Sequence, residues 1–325
     1  MKPQRGAAIL TAMLTVVLVA SLASATLWQQ WRAVEVEAAE RSRVQSAWIL
    51  NGALDWARLI LREDGRKGGA DHLAEPWAVP LAQARLSSFL AADRSDALEA
   101  DAAQEAFLSG QITDLQSRLN VANLVQGGAI DAPSALAFTR LFELLDLPET
   151  ELILMLEKLR LAQGAPTAGA RVAPLDAPDM ASTVLSPQTI DQLAWLGLSK
   201  RSIAVLRPFV TVLPMRTPVN LNTAPAAVIY ACVDSFDLAD ADRLVRARSA
   251  THLATLSDAG KLSERPQAQF DDARHSVSSR FFEVRGTLRI EQSTVQEQSV
   301  VQRDGLEVKT LSRQRAVASS TPTLQ

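Results

Sequence analysis

MKPQRGAAILTAMLTVVLVASLASATLWQQW, residues 1–31, decides how the rest of the chain is to be understood: it is either a secretory signal that is removed or an anchor that stays. Lys2 and Arg5 precede an uncharged run from Gly6 to Trp31 that ends at Arg32. Its apolar part, Ala7 to Leu27, is 21 residues long. At 1.5 Å per residue a helix of that length crosses a hydrocarbon layer of ~30 Å. Trp28 and Trp31 stand where amphipathic rings favour the membrane interface, and Lys2 and Arg5 mark the cytoplasmic side.

Ala23-Ser24-Ala25 also satisfies the small-x-small rule for signal cleavage before Thr26, which would release a secreted globular protein. The apolar run, however, exceeds the ~7–15 residues of a signal core. Helical character also continues past the cleavage point. From Thr26 to Leu61 there is no proline and no glycine but Gly52. Val44, Ala47, Trp48, Leu50, Leu54 and Ile60 recur at spacings of three to four. The sequence predicts one helix from Ala7 to about Leu61, roughly 80 Å long, half of it in lipid.

The remainder has globular composition, with 47% apolar and 21% charged residues. A net charge of −3 argues against binding nucleic acid through bulk electrostatics. Cys232 is the one cysteine, so no intrachain disulfide forms and packing alone must stabilise the fold. After Leu61 a Gly- and charge-rich break leads to the Trp77 segment. Ser87 to Glu105 is weakly helical or looped, and AFLSGQITDLQSRLNVANLV is β-like around a turn at Gly110-Gln111. Ala135 to Leu161 has helical periodicity with a break near Pro148. Gln163 to Pro187 is a small-residue, proline-rich linker. Helix then resumes at Ile190 and, with a break near Pro208, runs past Leu213. In FFEVRGTLRIE, Phe282, Val284, Gly286, Leu288 and Ile290 alternate with polar residues, a strand with one buried face. Asp304-Gly305 between two β-rich runs signals a hairpin. Beyond Arg315 the tail is small and polar and frays.

The short basic leader ending in Gly6, followed by an apolar segment that continues into an amphipathic helix, resembles a type IV prepilin. The segments DHLAEPWAVP, ITDLQSRLNVANL and VTVLPMRTPVNLNTAP, with Thr11 at the fifth mature position in place of the usual Glu, resemble the minor pseudopilin K family of type II secretion. That resemblance implies cleavage by prepilin peptidase between Gly6 and Ala7, with Ala7 as a methylated terminus and Thr11 as an assembly residue. It implies an α+β fold: a long N-terminal transmembrane/amphipathic helix, a pilin-like antiparallel sheet and a large all-α insertion domain. The expected divisions are a leader at 1–6, a membrane helix at 7–28 and its periplasmic continuation at 29–68. A body at 69–123 plus 279–315 is interrupted by the insertion at 124–278, and 316–325 is a flexible tail. The resemblance further implies a single-pass protein of the bacterial inner membrane with its C-terminal domain in the periplasm, capping the pseudopilus tip and initiating its assembly. Minor pseudopilins I and J, other pseudopilins and the inner-membrane secretion platform would be its partners.

Residues 219–249 also resemble a helix-hairpin-helix module, which gives the alternative of a periplasmic DNA-binding or uptake protein. Asn222 or Thr223 could cap its first helix, with Pro225 in the first turn, and Asp237 with Asp240 the second. DNA-binding versions turn on Gly-x-Gly. Here the turn is Asp234-Ser235-Phe236-Asp237, whose carboxylates would repel phosphate, so no nucleic-acid partner is expected. His72, His252 and His275 are not at zinc-ligand spacing, Cys232 lies in an apolar helix, and no nucleophile elbow, Walker loop or dinucleotide fingerprint occurs. No enzyme and no cofactor are expected. A calcium loop starting at Asp237 would need Gly and Glu where Asp242 and Arg248 stand. The family resemblance implies an acidic calcium loop in the insertion, but the corresponding stretch is basic and small, leaving Asp176 and Asp179 as the carboxylates a cation could use.

Overall fold

A computed structural model describes residues 5–86, 106–164, 185–263, 265, 267–290 and 293–318. Helix α1 (Arg5–Lys67) runs 63 residues without a break. It ends where Gly68 and Gly69 take φ of +67° and +110°, a conformation that costs glycine nothing. From Ala8 to Arg41 every side chain is exposed, and the most apolar stretch reaches a mean hydropathy of 2.2. Farther along, Leu50, Leu54, Ala57 and Leu61 line one stripe and are buried.

That stripe lies on a five-stranded sheet in the order β1 (Leu81–Arg85), β2 (Ala106–Asp114), β3 (Phe281–Ile290), β4 (Ser293–Asp304) and β5 (Glu307–Ala318), with every pair antiparallel. The helix-facing positions follow the period of two: Leu108 and Ile112 of β2 pack with Phe282, Val284 and Leu288 of β3, Val301 of β4, and Trp77. Each such side chain contributes ~1.5–3 kcal/mol of burial. The hairpin forms as the Asp-Gly signal requires, with Asp304 opposite Glu307 and Gly305 at φ +59°.

Three sheet expectations are corrected. Gly110-Gln111 is no turn but the middle of β2, because Gly110 pairs with Gly286 where α1 passes over the sheet. β5 runs to Ala318, beyond the expected fraying point, held by Thr294 opposite Ala318. Glu283, assigned to the polar face, is buried; Arg285 pairs with its carboxylate and Gln298 Nε2 donates to it. The stretch 87–105 lies outside the described residues.

Between β2 and β3 the chain builds a helical unit with one core. Its helices are α2 (Ala132–Leu144), α3 (Glu149–Gly164), α4 (Lys200–Leu206), α5 (Ala226–Cys232), α6 (Leu238–Ala250) and α7 (Leu256–Leu262). The gap around Pro148 falls between α2 and α3, as the periodicity predicts. Leu119 and Val121 belong to this core, so the unit reaches back before residue 124. Helix does not continue beyond Pro208. Val210–Thr211 is extended and pairs in parallel with Leu119–Asn120, as β-branched residues after a proline prefer. Asp237 and Asp240 form the predicted capping box on α6. Asn222 and Thr223 do not cap α5; their side chains are committed to longer-range bonds.

Candidate functional site: the anchoring helix and the joint beneath the helical unit

Gly6 and Ala7 lie in the backbone of the first turn of α1. Thr11 Oγ1 donates to the Ala8 carbonyl at 2.9 Å, which satisfies a hydroxyl on an otherwise apolar helix surface. Among the described residues α1 is the one helix long and apolar enough to cross a membrane.

Outside that segment, the apolar residues that the sequence places on a single stripe divide between two faces. Leu50 and Leu54 face the sheet. Val44, Trp48 and Leu59 remain exposed, Trp48 at 72%. Trp48, with the partly exposed Trp56, offers an aromatic area large enough to anchor a contact with another molecule. The polar side of this stretch carries the Glu37–Arg41 and Glu40–Arg43 pairs, both solvent-exposed and each worth little.

The second feature is a buried polar joint where the helical unit leaves and rejoins the sheet. Asp114 ends β2 and accepts four hydrogen bonds: from Gln116 N at 2.7 Å, Ser279 Oγ at 2.6 Å, Thr223 Oγ1 at 2.5 Å and Asn220 Nδ2 at 3.1 Å. Burial pushes its pKa up to about 6 in spite of these donors. Asn220 Nδ2 also donates to the Asp71 carbonyl and to Ser279 Oγ, and Ser279 N donates to Asp71 Oδ2 at 2.6 Å. Arg303 of β4 then forks across Asp64 at 2.6 Å, Asp71 at 2.5 Å and the Ser279 carbonyl at 2.9 Å. Close by, Asn120 holds Leu213 N, the Met215 carbonyl and Thr217 Oγ1, while Asn123 pairs with the backbone of Thr217. The three segments singled out by resemblance therefore meet in space, at Asp71, at Asp114 with Asn120, and at Thr217 with Asn220 and Thr223.

These groups position chain segments, and none has the arrangement of a nucleophile with its base. Asp64, Asp71 and Glu75 each bring a carboxylate oxygen within 4.8 Å of the others, but the Arg303 guanidinium already sits against two of them. Asp176 and Asp179 lie outside the described residues. Cys232 is buried, and burial pushes its thiol up to about 12. His275 is buried; its Nδ1 accepts from Asp271 N, so Nε2 carries the proton toward the Cys232 carbonyl, and desolvation holds its pKa below the ordinary value. The hairpin turn presents carbonyls rather than amides inward, with Arg140 donating to those of Val233 and Phe236. Arg274 and Arg265 pair with Asp234 and Asp237.

Two family models match this chain, both described as type II secretion system protein K. One covers residues 117–215 and the other 219–278, which together span the helical unit, whereas Asp64, Asp71, Asp114, Ser279 and Arg303 of the joint lie outside both. In both stretches the chain is similar to type II secretion system protein K. A protein K from Pseudomonas aeruginosa is 27% identical over 295 residues, covering 86% of this chain and 83% of that protein. The fold is similar to a chain in the crystal structure of the GspK–GspI–GspJ complex from the enterotoxigenic Escherichia coli type 2 secretion system. The TM-score is 0.64 at 18% identity, over 86% of this chain and 98% of that one. Protein K is a pseudopilin, and the joint is where its sheet and its inserted helices are fastened together. Sequence reasoning missed Asp71, Asp114, Ser279 and Arg303 as a group. The one available signal was the run of Asn and Thr in VNLNTAP, too many amides and hydroxyls for a solvated loop.

Proposed function

We propose that this protein is the tip subunit of the secretion pseudopilus, which enters assembly first and stands with minor pseudopilins I and J. In this proposal prepilin peptidase cuts between Gly6 and Ala7, α1 stays in the inner membrane, and the sheet and helical unit lie in the periplasm facing the secretion platform. The observation that carries it is α1 itself. One unbroken helix passes from an exposed apolar segment into a sheet-docked half that still presents Val44, Trp48 and Leu59 outward. A neighbouring subunit rising from the same membrane would meet that face with its own helix.

Thr11 supports entry at the start of assembly. A carboxylate there would need a partner from a preceding subunit, and a charge left alone in hydrocarbon costs about 2.5–3.5 kcal/mol at mid-bilayer on insertion scales. The Thr11 hydroxyl needs no such partner. The helical unit supports a terminal position, because a bulky insertion between β2 and β3 would obstruct a subunit stacked above it.

The test combines processing with placement. Mass spectrometry of membrane-extracted protein should find a terminus at Ala7, and a terminus at Thr26 would overturn retention of the anchor. With the major subunit overexpressed, labelled copies of this protein should appear at fibre ends. Regular labelling along the shaft would overturn the tip assignment, and normal tip placement of Thr11→Glu would overturn the argument from the missing carboxylate.

A further inference from the structure

His72 lies one residue beyond Asp71 in the segment that leaves α1, and His252 lies in the connection between α6 and α7 of the helical unit. Their imidazoles stack, with ring centroids 3.9 Å apart and planes within 15°. The contact joins the body to the inserted unit beside the Asp71 joint, where Asn222 and the backbone of Leu253 bond to each other in both directions. Two neutral rings stack comfortably at this distance, whereas two cations would repel one another.

The hydrogen bonds around His72 also select the neutral ring. His72 Nδ1 accepts from Ala74 N at 3.3 Å, so its single proton is on Nε2. A second proton would have to sit on Nδ1, facing another donor. The charged and titratable groups around His72 are Asp64 from α1, Glu75 from its own segment and His252 from the helical unit. Burial, and then His252, hold the His72 pKa below its ordinary value, while Asp64 acts the other way. Burial pushes Glu75 up to about 7, so acid discharges it over the range in which His72 would need a counter-charge.

We propose that the His72–His252 stack is a latch between the sheet body and the inserted helical unit that acid releases. At neutral pH the flat pair holds the 251–255 connection against the 72–75 segment. Protonation of His72 sets its charged ring against His252 and its Nδ1 against the Ala74 amide, and the connection separates while the Arg303 pairs keep the joint itself closed. The helical unit thereby gains freedom to pivot without detaching from the sheet.

Hydrogen exchange read by mass spectrometry on the full chain in detergent micelles tests this. Between about pH 7.5 and about pH 5, after correction for intrinsic exchange, amides in 251–255 and 72–75 should lose protection about tenfold or more, the factor that accompanies one pKa unit, while β2 and β3 are unchanged. His252→Phe keeps a flat ring on His72 that cannot charge, and it should hold its protection at the lower pH. His252→Lys, charged throughout, should show the released pattern already at the higher pH. Equal protection at both pH values in the native protein, an undiminished loss in His252→Phe, or a closed His252→Lys would each overturn the latch.

Discussion

Gly286 of β3 lies directly beneath Leu50 of α1, so closely that a Cβ at position 286 would come 3.2 Å from Leu50 Cδ2. Gly110 is its partner on β2, but a Cβ there would meet only the Arg285 carbonyl, so Gly286 is the position that sets the approach of α1. Gly286→Val should lower stability by about 1–3 kcal/mol, the usual cost of overpacking. Adding Leu50→Ala should recover part of that loss, a coupling measurable in a double-mutant cycle of denaturant midpoints. Strict additivity of the two changes would show that the contact does not set the helix-to-sheet distance.

Asp114 gives the joint a pH dependence of known sign. Its folded pKa of about 6 lies above its ordinary 3.8. An acid shifted upward favours the fold fully below its ordinary pKa and loses that contribution as pH rises through the folded value. The stability of the native protein relative to Asp114→Asn should therefore shrink by about 2 kcal/mol between pH ~4 and ~7. Urea midpoints of the two proteins across that range check it, and a constant difference would contradict the shift.

Arg303 is the counter-charge for two buried carboxylates, with side chains of Asp64, Asp71 and Arg303 all at or below 10% exposure. Arg303→Met should destabilise by about 3–5 kcal/mol, because it leaves Asp64 and Asp71 uncompensated. Arg303→Lys should recover only part of this, since an ammonium cannot span both carboxylates and the Ser279 carbonyl as a fork does. Thermal unfolding of the two variants separates these outcomes.

Trp48 separates folding from association. At 72% exposure its truncation to Ala should change unfolding free energy by no more than about 0.5 kcal/mol. If neighbouring pseudopilins cover that face, the same change should weaken their co-assembly by more than about 1 kcal/mol. Calorimetry of the variant alone, beside titration with the soluble domains of minor pseudopilins I and J, measures both quantities.

The long helix was legible because nothing from Ala7 onward interrupts a three-to-four spacing, and β3 because five residues alternate faithfully from Phe282. The Asp304-Gly305 turn was legible because local chemistry alone specifies it. Gly110 misled for the opposite reason: its place is set by pairing with distant strands, opposite Gly286 and Leu81, and in isolation a glycine beside a glutamine resembles a turn. β1 was missed because LAQAR has no β-branched residue, and it is extended only through pairing with β2. Of the joint, Asp71, Asp114, Asn220 and Ser279 stand too far apart for any spacing rule, and each alone resembles an ordinary loop residue. His72 and His252 were likewise set aside by spacing, although the fold stacks them ring on ring.

The position of the helical unit also fixes an order of events in folding. β2 and β3 are sheet neighbours, yet Asp114 and its partner Phe282 are about 170 residues apart in the chain. Closing so long a loop before anything inside it is ordered is entropically costly and slow. The unit's own parallel pairings, Leu119–Asn120 with Val210–Thr211 and Val219–Asn220 with His275–Ser276, draw its two ends together. Once those have formed, β2 and β3 need to close little more than a turn. Helix α1 is synthesised first, but the sheet it rests on can be completed only after the inserted helices have condensed, so until then α1 carries an uncovered row of Leu50, Leu54, Ala57 and Leu61.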